Sequence, residues 1–205
     1  MSTTFSKSNI PFLLIYSRII LGIIIPVVLF VNLPYAAIAA TALIFIGLLT
    51  DVFDGIVARR LGVSSERLRI WDSNVDQFFW LSIIGTVFYI HFTSILPNLA
   101  MIAAIVILEV LAYIISYAKF KKAIATHSIL AKIWTISLMI WIIELILFGT
   151  NSSFSICFWL GLISRVEIIA IIFSLKEWAT DIPSLMVVGK INRGEKVKKS
   201  KWFNG

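Results

Sequence analysis

Six runs of about twenty apolar residues dominate the chain, at 11–31, 35–57, 71–90, 95–117, 129–148 and 156–175. That is the length an α-helix needs to cross the hydrocarbon core of a bilayer. In lipid no water is present to satisfy backbone N–H and C=O groups. Each run is therefore expected to be helical, although Ile and Val are abundant. Composition points the same way. Of 205 residues, 60% are hydrophobic and 14% charged. A soluble domain carries about 25% charged residues, so this chain has too little polar surface to cover a water-facing globule. It is also too apolar for disorder. A lone cysteine, Cys157, rules out an internal disulfide framework. The expected architecture is all-α: a polytopic membrane protein with six transmembrane helices in one domain (1–188), followed by a basic cytoplasmic tail (189–205).

The basic residues set the expected orientation. Arg59, Arg60, Arg67 and Arg69 lie between the second and third runs. Lys119, Lys121, Lys122 and Lys132 lie between or just inside the fourth and fifth. Six more follow the last run, from Lys190 to Lys201. The three alternate loops contain no Lys or Arg. The positive-inside rule then places both termini and both basic loops in the cytoplasm. The net charge of +7 is thereby explained by topology, and no nucleic-acid partner is expected. The first run carries Arg18 and lacks a small-residue cleavage site, unlike a secretory signal.

Charged residues within spans are costly and mark functional sites by default. Asp51 and Asp54 close the second run, and Asp72 and Asp76 open the third. Asp51, Asp54, Gly55 and Ala58 are spaced i, i+3, i+4, i+7 and share a helical face. Asp72 and Asp76 share another. A short cytoplasmic connection makes the two helices antiparallel neighbours, so four carboxylates can meet at one depth. Such a cluster needs protonation or divalent cations to relieve its repulsion. Hard oxygen donors with no His or Cys nearby suit Mg2+ or Mn2+, and four carboxylates suit a two-ion clamp. Gly55 and Ala58 leave room for a bulky ligand, and Arg59 supplies a cation for phosphate oxygens.

The run Asp51-x-x-Asp54-Gly55-x-x-Ala58-Arg59, followed by Asp72-x-x-x-Asp76, resembles the signature of the CDP-alcohol phosphatidyltransferases. The spacing from Arg59 to Asp72 matches that family, and residues 9–18 look like the opening of its first helix. Ala131-Lys132-Ile133-Trp134-Thr135 is similar to a segment of the glycerophosphate-using branch, of which it keeps Lys132 and Thr135. One position departs: Leu68 stands where the family has a glycine that permits close packing near the nucleotide. A rearranged loop, a shifted nucleotide and reduced activity are the three consequences to weigh. If Leu68 crowds the site, Leu68→Gly should raise apparent affinity for the CDP-lipid.

The resemblance implies an integral membrane enzyme that transfers a phosphatidyl group from CDP-diacylglycerol to an alcohol, with release of CMP. It implies two Mg2+ or Mn2+ ions held by Asp51, Asp54, Asp72 and Asp76, with Asp76 also acting as general base. Gly55, Ala58, Arg59 and Ser65 would contact the CDP-lipid. Arg18, Lys119, Lys132 and Thr135 are assigned to an acceptor, best taken as glycerol 3-phosphate. The implied setting is a bacterial cytoplasmic membrane with the site facing the cytoplasm, amid membrane lipids, in a homodimer. Two other readings compete. An ion- or metal-coupled transporter would also use intramembrane carboxylates, and a catalytically degenerate member would explain Leu68. Elsewhere, Glu109 is expected to pair with Arg18 or another cation. Glu144, Arg165 and Glu167 are expected to be structural.

Overall fold

The structure is a computed structural model that describes residues 10–31, 33–63, 66–122, 126, 128–180 and 182–195. Every regular element among them is helical: α1 (Ile10–Val31), α2 (Ala36–Arg60), α3 (Glu66–Ile90), α4 (Phe92–Ile95), α5 (Leu99–Phe120), α6 (Ile129–Phe148), α7 (Phe154–Ser174) and α8 (Val188–Asn192), with 3₁₀ turns at Leu96–Asn98 and Leu185–Val187. Five stretches among the described residues are long and apolar enough to span a bilayer: Ile10–Val31, Ala36–Ala58, Phe92–Phe120, Ile129–Phe148 and Phe154–Ser174. The all-α, multi-pass expectation holds. The remaining expected span is α3, a helix of 25 residues whose first turns carry Glu66, Arg67, Arg69, Asp72 and Asp76. These charges keep its composition outside the spanning class.

The described residues divide into two compact units, those up to residue 92 with 145–149, and those of 93–144 with the ones from 150 onward. In the first, α1 packs against both α2 and α3. Their shared interior is layered. Nearest the start of α1, Ile15, Ala58, Leu68 and Val75 form a buried apolar cluster, flanked by Phe12, Ile19 and Val63. One turn along α1 comes the charged layer around Arg18. Another turn on, two glycines admit α3. A Cβ on Gly22 would lie 3.1 Å from the Phe78 ring and 3.4 Å from the Phe79 Cα, and a Cβ on Gly47 would collide with the Phe79 ring. Beyond them Ile25, Ile44 and Ile83 are fully buried. Pro26 in α1 has no N–H to offer the Gly22 carbonyl four residues back, a loss that packed transmembrane helices tolerate.

In the second unit α5 packs against α7. Ala112, Ile168 and Ile172 form one buried cluster, and Ile171, Leu175, Ile182 and Val188 form another. The start of α7 is held by Glu144. Its carboxylate accepts from the Ser152 and Ser153 N–H groups at 2.5 and 2.8 Å, from the Thr150 hydroxyl at 2.6 Å, and from the Ser153 hydroxyl. Backbone donors at a helix N-terminus favour an anion there, so Glu144 is structural as expected. Glu109 of α5 pairs with Arg165 of α7, whose guanidinium lies 4.2 Å above the Trp134 ring. Arg165, not Arg18, is therefore the partner that Glu109 required. After α7 the chain folds back. The Asn192 amide donates to the Ser174 carbonyl at 2.8 Å, and its oxygen accepts from the Lys176 N–H at 3.0 Å. Residue 189, the expected start of the tail, thus lies inside α8, and residues 196–205 lie outside the described residues.

Candidate functional site

The expected meeting of carboxylates occurs in the first unit, around Arg18. One terminal nitrogen of Arg18 donates to Asp51 at 2.8 Å and also to Asp76. The other donates to Asp72 at 2.5 Å and also to Asp54. A guanidinium carries four terminal N–H protons, and here each aspartate receives one. Arg18 is 1% exposed. A charge so deep in an apolar bundle persists because both of its terminal nitrogens are paired with carboxylates, while its buried Nε has no hydrogen-bond partner. Arg18, expected at the acceptor, lies in the structure at the centre of the acidic cluster.

The four carboxylates are not equivalent. The Asp54 side chain is 5% exposed, whereas those of Asp51, Asp72 and Asp76 are 39%, 35% and 33% exposed. Asp51, Asp72 and Asp76 each offer an oxygen, and these oxygens all lie within 4.8 Å of one another. Three hard donors at that separation, open on one side, suit a divalent cation such as Mg2+ or Mn2+. Asp54 falls outside this trio and faces the interior with Arg18.

Helix register explains the convergence. Asp51 and Asp54 stand one turn apart on the face of α2 that meets α1, as do Asp72 and Asp76 on α3. Gly47 precedes Asp51 by four residues, and Gly22 follows Arg18 by four. Both are the contacts through which α3 comes close. Gly55 and Ala58 are the small residues expected at the site, and the structure adds Gly22 and Gly47, which the motif does not mark. Their spacing from the charged residues was the available signal. Gly55 is half-buried on α2 beside Asp54. Ala58 is buried against Ile15, Leu68 and Val75, so it packs the helix interior.

Leu68 belongs to that same cluster and is 6% exposed. The side chain that replaces the expected glycine is accommodated by packing between α1, α2 and α3. Ser65 lies outside the described residues, and so does the side chain of Arg59.

The other expected acceptor residues belong to the second unit. The Lys119 ammonium donates to the carbonyls of Ile172, Phe173 and Leu175 at 3.0, 2.8 and 2.7 Å. All three of its donors are thereby used to cap the end of α7, where a cation is favoured. The Thr135 hydroxyl donates to the Ala131 carbonyl one turn back at 3.0 Å. Lys132 begins α6 half-buried, and its N–H bonds the Ser128 carbonyl at 3.2 Å. Among the flanking lysines, Lys122 lies 4.4 Å above the Trp178 ring.

The chain matches a known family. The family model described as CDP-alcohol phosphatidyltransferase covers residues 8–182, from just before α1 to beyond α7. No curated protein and no solved structure matches the chain.

Proposed function

This chain belongs to the CDP-alcohol phosphatidyltransferase family, a family of phosphotransferases for substituted phosphate groups, and we propose that it transfers the phosphatidyl group of CDP-diacylglycerol to glycerol 3-phosphate, releasing CMP. The observation that carries this reading is the gathering of Asp51, Asp54, Asp72 and Asp76 from α2 and α3 onto one point of α1. Asp51, Asp72 and Asp76 would hold the divalent ions, Mg2+ or Mn2+, and Asp54 would hold Arg18 on the inner side of the cluster. Bound there, such ions neutralise pyrophosphate charge and stabilise the attacking and leaving oxygens of the transfer.

The residues of the chain supply the rest. Asp76, on the open side of the cluster, takes the proton of the attacking hydroxyl. That hydroxyl attacks the lipid-side phosphorus, and the bond from this phosphorus to the CMP oxygen breaks. Gly55 and Arg59 lie on the motif that would receive the CDP-lipid, with Ser65 in the connection to α3. Lys132 and Thr135 begin α6 and support a phosphorylated acceptor. Lys119 is left out of this reading, because its ammonium caps α7. The basic stretches at 58–70 and 119–127 support a cytoplasmic placement of the site and of both termini, with α3 as the sixth span.

The test uses the protein purified in detergent with CDP-diacylglycerol, Mn2+ and a panel of alcohols. The expected result is metal-dependent CMP release, fastest with glycerol 3-phosphate and abolished by Asp76→Asn. Release that is fastest with a neutral alcohol would exclude the proposed acceptor. Metal uptake into vesicles without CMP release would favour a transporter.

A further inference from the structure

Arg18 does more than fill space between the helices. Its four terminal N–H groups are divided one to each of four aspartates, on a side chain that is 1% exposed. Any cation taken up by Asp51, Asp72 and Asp76 must share those carboxylates with a positive charge already bonded to them. From these contacts we infer that Arg18 is the resident counter-cation of the cluster, assembling it before a divalent ion arrives and competing with that ion for the same carboxylates. Arg18 is thus a positioning residue that sets the metal affinity of the site. The inference rests on the proposed metal-binding role of the trio.

Three features carry it. The first is stoichiometry. Four carboxyl groups face a single guanidinium, so one positive charge holds the quartet together and the cluster keeps capacity for a further cation. The second is direction. Asp54 and Arg18 close the inner side, whereas Asp51, Asp72 and Asp76 are each about one-third exposed. An ion held by these three carboxylates would be reached from their exposed side, opposite the buried guanidinium. The third is geometry. A guanidinium is a rigid planar fork, so it fixes four carboxylates from two helices in one arrangement, which a flexible ammonium with three donors does not do. Repulsion between like charges lowers affinity for the ion, while the fixed arrangement readies the ligands for it.

The test measures Mn2+ binding directly, without turnover, from the spin-resonance signal of free Mn2+ in detergent solution. Arg18→Gln removes the charge, and it is expected to bind Mn2+ about tenfold or more tightly than the unmodified chain. Its melting temperature in EDTA is expected to fall, and the rise on adding Mn2+ to exceed that of the unmodified chain. Arg18→Lys provides a second variant should the glutamine form fail to fold. Its ammonium releases at least one carboxylate, and an affinity increase of about threefold is expected. Equal or weaker Mn2+ binding in the folded variants, with no larger thermal gain, overturns the inference and leaves Arg18 a scaffold. If the unmodified chain binds no Mn2+, the metal reading of the trio fails, and this inference fails with it.

Discussion

Gly47 of α2 rests against the outer edge of the Phe79 ring of α3, four residues from Asp51 on one helix and three from Asp76 on the other. This contact sets how closely the two acid-bearing helices approach. Phe79 is 2% exposed and has nowhere to retreat. Gly47→Ala is therefore expected to push α3 away from α2 and to lower stability by about 1–3 kcal/mol through overpacking. Mn2+ affinity should fall along with it, because the trio is drawn from both helices. Thermal unfolding and Mn2+ titration in detergent check both effects. Trimming the ring in the double variant Gly47→Ala, Phe79→Leu should restore part of each, and the restored part measures the coupling.

Leu68 occupies the position at which the family motif has glycine, and its side chain is buried with Ile15, Ala58 and Val75. Removing it opens a cavity among three helices and places a glycine in α3. Leu68→Gly is expected to cost about 3–5 kcal/mol. With the side chain packed inward, no gain in affinity for CDP-diacylglycerol is expected, contrary to the sequence-based expectation of crowding. A melting curve and a CDP-lipid titration on the same preparation separate the two outcomes. Tighter binding with unchanged stability would show that Leu68 blocks the ligand.

The helices and the acidic cluster were legible because each rests on a strong, local physical demand. Apolar runs of spanning length must satisfy their own backbone in lipid, and Asp residues three or four apart on a helix must share a face. What stayed illegible depended on partners distant in sequence. Arg18 reads alone as a charge awaiting either ligand or partner, and its engagement of α2 and α3 at once requires knowing how the helices cross. Glu109 posed the same question, and Arg165 answered it from 56 positions away. Lys119 sits in a basic loop, where topology, phosphate binding and helix capping all ask for the same residue. The bonds to three carbonyls at the end of α7 decide between them.

Lys119 and Lys132 therefore separate two roles that the sequence left together. Lys119→Met removes three hydrogen bonds at the end of α7 and is expected to lower stability by about 1–2 kcal/mol. The KM for glycerol 3-phosphate should stay within about twofold, since the ammonium is already committed to carbonyls. Lys132→Met is expected to raise that KM about tenfold, the loss of one charge-assisted contact to phosphate. Steady-state kinetics across acceptor concentrations, alongside thermal unfolding, distinguish the two variants. A raised KM for Lys119→Met without destabilisation would return that lysine to the acceptor site.

The aspartates should divide in the same way, because their exposure divides them. Asp54 is buried on Arg18 and lies outside the trio that can grip an ion, whereas Asp76 is inside it. Asparagine keeps the shape of each side chain and removes its charge. At Asp54 that weakens the inner contact to a buried guanidinium, and a loss of about 3 kcal/mol is expected, the lower end for breaking a buried pair. At Asp76 three aspartates remain on Arg18, so stability should fall less. The trio loses a ligand, however, and Mn2+ affinity should drop at least about tenfold. Under saturating Mn2+, Asp76→Asn should still release no CMP, because the proton acceptor is gone. Asp54→Asn should retain measurable turnover once enough Mn2+ is supplied. Thermal unfolding in EDTA, Mn2+ titration and CMP release together check the division. If Asp54→Asn loses Mn2+ binding as fully as Asp76→Asn does, the inner carboxylate is a direct ligand, and the distinction between a gripping trio and a buried anchor is wrong.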